Sequence, residues 1–380
     1  MQIPLVDVKA QYAPLIEELR TRFEEVLASG AFVRGPNVAA FEQEAAAYLG
    51  VERTIGVANG TDALVLVLDA LEVGPGDEVI CPAFTFVSTA NAVALRGARP
   101  VFVDVRPDTL NLDERLLEAA ITPRTKAVIV VHYAGVACEM DEILAIAARR
   151  GIAVIEDNAH GLFGHYKARP LGSLGAMSAL SFHETKNLTC GEGGALLLND
   201  AALIERAEII REKGTNRSRF FRGEVDRYTW VDLGSSYLPS DLLAAYLWAQ
   251  LESADAIQRR RHEIWSTYAR ELESWAAAAG ARLPIVPDHC AHPAHIFYLL
   301  MPSLEHRTAL IQHLRARQIV APFHYLPLHL SGVGRGYGGV EGQCPVTEDV
   351  ADRLVRLPLF FQLTVDDQGR VIDAIREFAA

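Results

Sequence analysis

A chain of 380 residues with 50% hydrophobic content can bury a large core, which excludes disordered and fibrous classes and favours two packed lobes. The net charge of -12, from 36 Lys+Arg against 48 Asp+Glu, argues against nucleic acid or an anionic membrane surface as partner, and leaves room for a local basic pocket. Five scattered cysteines without a C-x-x-C pair read as reduced thiols rather than a metal site, and the absence of a signal-like N-terminus or a run of roughly 20 apolar residues predicts a soluble cytoplasmic protein.

In chain order, a large domain over residues 1–250 opens with a helical segment, and a smaller domain follows over 251–380. From about Val51 to Asp200 short apolar runs alternate with helix-like stretches, the pattern of an α/β domain with a mainly parallel sheet. Seven strands are expected, at Thr54–Ala58, Glu78–Cys81, Pro100–Val105, Ala127–His132, Ala153–Glu156, Ala179–Phe182 and Ala195–Leu198. Ala201–Lys213 reads as a surface helix with Leu203, Ala207 and Ile210 on one face. The arginine- and aromatic-rich stretch from Gly214 to Ser235 is long for a simple connection and points to function or an interface. Helices are expected at Asp241–Glu252 and Ala254–Ala279, then a strand at His295–Met301, a helix around Arg307–Arg317, a glycine-rich tip at Gly332–Gly339 and a last helix after Asp366.

The chemistry-bearing residues sit where strands end. Lys186 lies in SFHETKN, past a strand end and beside the glycine turn Gly191-Glu192-Gly193-Gly194, a placement suited to a Schiff base, although a loop lysine also reads as a solvated cation. Asp157 closes another strand, where a carboxylate can pair with the ring nitrogen of pyridoxal; a helix N-cap is the other reading. Asn59-Gly60-Thr61-Asp62 joins a strand to an apolar helix whose first N–H groups, with the Thr61 hydroxyl, suit a phosphate, while Thr61 or Asp62 as a plain N-cap is equally compatible. Ser181 offers a further phosphate contact. In PAFTFVSTANA, Phe86 is the aromatic expected to lie flat on a cofactor ring, and Phe84 the one expected in the core.

Together GTDAL, PAFTFVSTANA, VDVRPDTLNLD, VHYAGVACEMD, IEDNAH, SFHETKN with GEGG, and FHYLPLH resemble the sugar nucleotide aminotransferase family of fold-type-I pyridoxal-phosphate enzymes (DegT/DnrJ/EryC1/StrS type), in order and over nearly the whole chain. Val131 to Gln250 most resembles the branch that aminates TDP-4-keto-6-deoxyglucose at C4. The resemblance implies a seven-stranded large domain that binds pyridoxal 5'-phosphate and a smaller α/β domain. It makes Lys186 the covalent anchor and Asp157 the partner of the ring nitrogen, with Phe86 stacked. Gly60, Thr61, Asp62 (through its backbone) and Ser181 would then hold the phosphate, with His160 near the ring hydroxyl. It implies L-glutamate as donor, a nucleotide-linked keto sugar as acceptor, and a homodimer with shared active sites. Ser236 stands where relatives carry an asparagine that reaches the partner's phosphate. His183, His329, Tyr325 and Arg217 are the expected substrate contacts, Arg217 from the partner along with Arg219 and Arg222. The alternatives are amination at C3, a 3-dehydratase, which Lys186 argues against, and a non-catalytic regulator of the same fold. No strand is followed by the G-x-G-x-x-G turn of a nicotinamide site.

Overall fold

The computed structural model describes residues 2–378. Seven strands form the central sheet: β1 (Arg53–Val57), β2 (Glu78–Pro82), β3 (Arg99–Val103), β4 (Thr125–Val131), β5 (Ala153–Asp157), β6 (Met177–Ser181) and β7 (Gly194–Leu198), in the order β1-β7-β6-β5-β4-β2-β3. Every strand expected from the sequence is present, with ends shifted by no more than two residues. Pairing is parallel from β3 through β2, β4 and β5 to β6. Only β7 runs against its neighbours, because residues 182–193 form no crossover helix and the chain folds straight back along β6.

Side chains alternate between two buried faces, as a sheet covered on both sides requires. Val79, Cys81, Ala127 and Ile129 pack on the helix Gly60–Ala70 through Ala63, Leu66 and Val67. Ile80, Val128, Val130 and Val154 face the helix Met140–Arg150 through Ile143 and Ala147. Each such aliphatic side chain contributes about 1.5–3 kcal/mol when fully buried.

A second core lies under the long helix Ala254–Ala279 and holds Ile264, Tyr268, Leu272, Phe297 and Val355. Its two-stranded sheet pairs β8 (Phe297–Leu300) antiparallel with β9 (Leu354–Leu357). Helices Leu304–Ala316 and Val365–Arg376 complete it. The N-terminus joins this second core: Ile3 is buried there and bridges to Ile319. The expected surface helix after β7 is a short 3-10 turn at Ala201–Leu203 followed by a helix at Ile204–Arg211. The Gly214–Ser235 stretch contains one short helix, Arg217–Phe221. Among the described residues no helix is long and apolar enough to cross a membrane.

Candidate active site

The carboxyl ends of the parallel strands open on one edge of the sheet, where ligands bind in open α/β folds. A cavity of about 770 Å³ lies there, walled by the loops after β1, β2, β5 and β6 on one side and by His324, Tyr325 and Arg356 of the second lobe on the other.

Part of the lining is a candidate anion cradle at the start of the helix Gly60–Ala70. Asn59, rather than Thr61 or Asp62, caps the helix Gly60–Ala70: its Oδ1 accepts the Asp62 N–H at 2.8 Å, and its Nδ2 donates to Asp62 Oδ2 at 3.0 Å. Burial raises the Asp62 carboxyl above its ordinary range. The Thr61 and Ser88 hydroxyls pair at 2.7 Å, and both line the cavity with Ser181. Gly60 is required for close approach, because a Cβ there would stand 2.8 Å from the Ser181 Cβ. A Cβ on Gly194 would meet the Asn59 carbonyl at 2.4 Å, so the glycine turn after Lys186 is what lets β7 lie against this cradle.

In the middle of the cavity stand Lys186 and Asp157. The lysine backbone N–H donates to the His183 carbonyl at 2.9 Å, and the next residue, Asn187, is locked in place. Asn187 Nδ2 donates to the Pro293 carbonyl at 2.8 Å, its Oδ1 takes the His295 Nδ1 proton at 2.7 Å, and its carbonyl accepts from Gln11 Nε2 at 2.9 Å. Burial draws the Lys186 ammonium down to about 8, against the attraction of Asp157 and with help from Arg356. Asp157 is buried, and its Oδ2 accepts the Thr89 hydroxyl at 2.8 Å. Burial pushes its carboxyl up, opposed by the Thr89 hydrogen bond and Lys186. Its Oδ1 accepts the Ala159 N–H at 3.3 Å, but the residues that follow form turns and no helix, so Asp157 is not a helix N-cap.

The far wall is aromatic. His160 Nδ1 accepts the Ala134 N–H at 3.3 Å, which leaves the proton on Nε2, 3.2 Å from the Tyr325 hydroxyl. Burial lowers the His160 imidazole well below its ordinary value, so the ring is neutral. The ring centroid of His295 lies 4.5 Å from that of His160, and His324 stacks on Tyr325 at 3.7 Å. Phe86 projects into the cavity, half-exposed, whereas Phe84 is buried against Tyr133 and Tyr325. His183 stands at the mouth, its Nδ1 3.1 Å from the Thr185 hydroxyl.

The cavity thus gathers Gly60, Thr61, Asp62, Phe86, Asp157, His160, Ser181, His183, Lys186 and Tyr325. Three expected residues lie elsewhere. His329 is fully buried, with Nε2 2.9 Å from Glu348 Oε1 beneath the glycine-rich tip, where Gly334 and Gly339 abut its backbone; a residue enclosed in that way cannot meet a ligand in the cavity. Ser236 is exposed and bridges to Glu212. Arg217 pairs with Glu212 at 3.6 Å and lies over the rings of Phe221 and Tyr228. Arg219 and Arg222 likewise have carboxylate partners in their own chain, at 2.9 Å to Glu205 and 2.7 Å to Glu208.

Thr89, His295, His324 and Arg356 are the site residues that the sequence reading missed. Thr89 had a signal: it sits in the first turn of the helix Val87–Leu95, four residues after Thr85, whose hydroxyl it meets at 2.9 Å. The other three lie far along the chain and meet the strand-end residues only in the folded protein.

The donor set fits pyridoxal phosphate: a buried amine, a buried carboxylate held by a hydroxyl, a neutral imidazole, and a hydroxyl-lined helix start where a side chain on Gly60 would not fit. Comparison with known proteins agrees. Residues 14–376 match the DegT/DnrJ/EryC1/StrS aminotransferase family. The chain is 37% identical over 380 residues to a pleiotropic regulatory protein of Geobacillus stearothermophilus, covering 100% of this chain and 99% of that one. It is 36% identical over 380 residues to the dTDP-3-amino-3,4,6-trideoxy-alpha-D-glucose transaminase of Streptomyces venezuelae, covering 100% and 96%. The crystal structure of DesV from S. venezuelae superposes with a TM-score of 0.91 at 35% identity, covering 100% of both chains. The chain therefore belongs to the DegT/DnrJ/EryC1/StrS aminotransferase family, as a sugar aminotransferase whose cofactor is pyridoxal phosphate.

Proposed function

We propose that the protein transfers an amino group from L-glutamate to C4 of TDP-4-keto-6-deoxyglucose, giving TDP-4-amino-4,6-dideoxyhexose and 2-oxoglutarate. The observation that carries the amino-transfer reading is the Lys186 amine sharing one buried cavity with Asp157. Pyridoxal phosphate, when bound, supplies the electron sink for the charge that develops at the donor's α-carbon. Lys186 would hold the cofactor, and its buried amine, drawn down to about 8, would be the group that moves the proton at the donor's α-carbon. Asp157, steadied by Thr89, would pair with the ring nitrogen and favour its protonated form. His160 would offer a neutral donor to the ring hydroxyl, Phe86 a face for the ring, and Gly60, Thr61, Asp62 and Ser181 the phosphate contacts.

The choice of C4 rests on His183 at the cavity mouth, where a ring nitrogen can hydrogen-bond a sugar or nucleotide group that an aromatic could only stack against. Tyr325 completes the substrate contacts from within the chain. The second reading, amination of TDP-3-keto-6-deoxyhexose at C3, is favoured by the S. venezuelae transaminase, whose name places the amine at C3. The protein acts as a homodimer in which Arg217 and Ser236 serve the partner's cavity. Five free cysteines suit the reducing cytoplasm in which such a dimer works. NMR of the product formed from TDP-4-keto-6-deoxyglucose and L-glutamate decides the position: nitrogen on C4 supports the reading, whereas no product, with amination of the 3-keto isomer, replaces it by the C3 reading.

A further inference from the structure

Two of the sequence motifs that contribute nothing to the cavity lining meet behind His160. Asn111 of VDVRPDTLNLD lies in the loop after β3, and Tyr133–Gly135 of VHYAGVACEMD form a turn after β4. In the sheet β2 stands between β3 and β4, so it is the loops that bring Asn111 to this turn. Asn111 is buried, and its amide is directed wholly at the turn and the two residues after it. Nδ2 donates to the Val136 carbonyl at 3.0 Å and to the Ala137 carbonyl at 2.8 Å, and Oδ1 accepts the Tyr133 N–H at 2.8 Å. The turn has a backbone that needs such support: Ala134 has φ 55° and Gly135 φ 83°, two left-handed residues in succession, and the alanine carries a steric penalty there. That conformation aims one N–H group, because Ala134 donates to His160 Nδ1 at 3.3 Å. The flanks are held by other means: His132 Nε2 lies 2.9 Å from Glu156 Oε2, and its Nδ1 accepts the Cys138 N–H at 3.2 Å.

We infer that Asn111 is a positioning residue: by holding Ala134 in its left-handed conformation it keeps the His160 ring proton on Nε2, the nitrogen on the Tyr325 side. Burial leaves the ring neutral, so it has a single N–H to place, and the opposite tautomer would set two N–H groups head to head across 3.3 Å. The other neighbours of the ring do not make this choice. The Tyr325 hydroxyl, 3.2 Å from Nε2, can donate or accept, and His295 packs beside the ring at a centroid distance of 4.5 Å. The inference rests on the reading that His160 meets the cofactor's ring hydroxyl, where an N–H and a bare lone pair act in opposite ways.

Nitrogen NMR of the cofactor-free full chain carrying isotope-labelled histidine reads the tautomer directly, the His160 signals being those lost in His160→Leu. The wild-type ring is expected to carry its proton on Nε2; a proton on Nδ1 overturns the inference. In Asn111→Ala the ratio of the Nδ1–H form to the Nε2–H form is expected to rise about fivefold to tenfold, the scale of one neutral hydrogen bond. Adding Ala134→Gly, which adopts the left-handed conformation without steric cost, should recover part of that change. A role for Asn111 in stability alone would leave the His160 tautomer unmoved and gain nothing from the glycine. Asn111→Asp keeps the Tyr133 contact but turns a carboxylate on the two carbonyls, and it gives the same reading where the alanine chain does not fold. An unchanged tautomer in a folded variant, or loss of folding in both, overturns the inference. In the holoenzyme the yellow absorbance band should move in Asn111→Ala in the direction it moves in His160→Leu. A tautomer that follows Asn111 while neither substitution moves the band supports the positioning by Asn111 and overturns the placing of His160 at the ring hydroxyl.

Discussion

Lys186 is a compromise between burial and charge, and both sides of it are measurable. Lys186→Ala is expected to abolish the covalent cofactor link, seen as loss of the yellow absorbance of the borohydride-free enzyme, and to abolish turnover. In the cofactor-free protein the same lysine costs stability. Its folded pKa of about 8 lies below the ordinary 10.5, so between these values the unfolded chain binds a proton that the folded chain has released. Stability therefore rises with pH across that window, and below about 8 the full cost of burying the ion is present. Lys186→Met in cofactor-free protein should accordingly gain about 1–3 kcal/mol at pH 7, read by chemical denaturation, with the gain shrinking toward pH 10. A variant equally stable at both pH values would mean that the amine is solvated. Asp157→Asn leaves the Thr89 hydrogen bond possible but removes the charge, and a rate loss of about a hundredfold or more is expected, because two powers of ten correspond to only about 2.7 kcal/mol of transition-state stabilisation. Lys186 and Asp157 were legible as cavity residues because one follows a recognisable strand beside a glycine turn and the other closes one. His295, His324 and Arg356 were not, because a histidine or arginine in the second lobe has no local pattern that tells a surface cation from a cavity wall.

The loop from β6 to β7 does at the level of an element what Lys186 does as a residue: it holds a reactive group where the sheet alone would not. Its base is a buried polar knot. Gln11 Nε2 donates to Gln250 Oε1 at 2.9 Å as well as to the Asn187 carbonyl, Gln250 Oε1 also accepts the Thr189 N–H at 3.1 Å, and Gln250 Nε2 donates to the Thr189 carbonyl. Gln250→Leu would strand the Gln11 amide and the Thr189 backbone groups together. An unsatisfied buried group costs about 1–3 kcal/mol, so a loss of that order or somewhat above it is expected in denaturation, with faster release of cofactor on dialysis. Normal stability with normal retention would show that water replaces the glutamine. The strands themselves were readable because a sheet buried on both faces needs continuous apolar runs, such as Ala127–Val131. What escaped were β9 and the Ile3 bridge. Leu354–Leu357 is four residues interrupted by Arg356, and the strand it pairs with, Phe297–Leu300, lies far away in the chain; Ile3 pairs with Ile319 across almost the whole sequence. Neither contact leaves a local signature, and the antiparallel turn of β7 left none either, since periodicity does not report strand direction.

On the scale of the whole molecule, the Gly214–Ser235 stretch is the part that a single chain leaves unfinished. Trp230 is 72% exposed and Leu233 66%, with Phe221, Tyr228 and Val231 exposed beside them, a run of large apolar side chains that a lone soluble chain would be expected to cover. Arg217, Arg219 and Arg222 of the same stretch are tied to carboxylates of their own chain, which fixes the shape of the loop without hiding those rings. Its base reaches the candidate anion cradle: the Tyr237 carbonyl accepts the Ala58 N–H at 2.8 Å, one residue before Asn59, and Ser236 stands next to it, exposed. If Ser236 serves a partner's phosphate site, as proposed above, a twofold dimer that buries the aromatics repeats that role on both sides. The consequence is complementation in trans. Lys186→Ala chains lack the amine but retain Ser236, whereas Ser236→Asp chains retain Lys186 and place a carboxylate against the partner's phosphate. Each homodimer should be inactive. A heterodimer would assemble one complete site, from the lysine of one chain and the serine of the other, so full random exchange of equal amounts should restore about a quarter of the wild-type activity. Absence of rescue after exchange has been demonstrated by mass spectrometry of the mixed dimer, or a Ser236→Asp homodimer that is fully active alone, would confine the active site to a single chain.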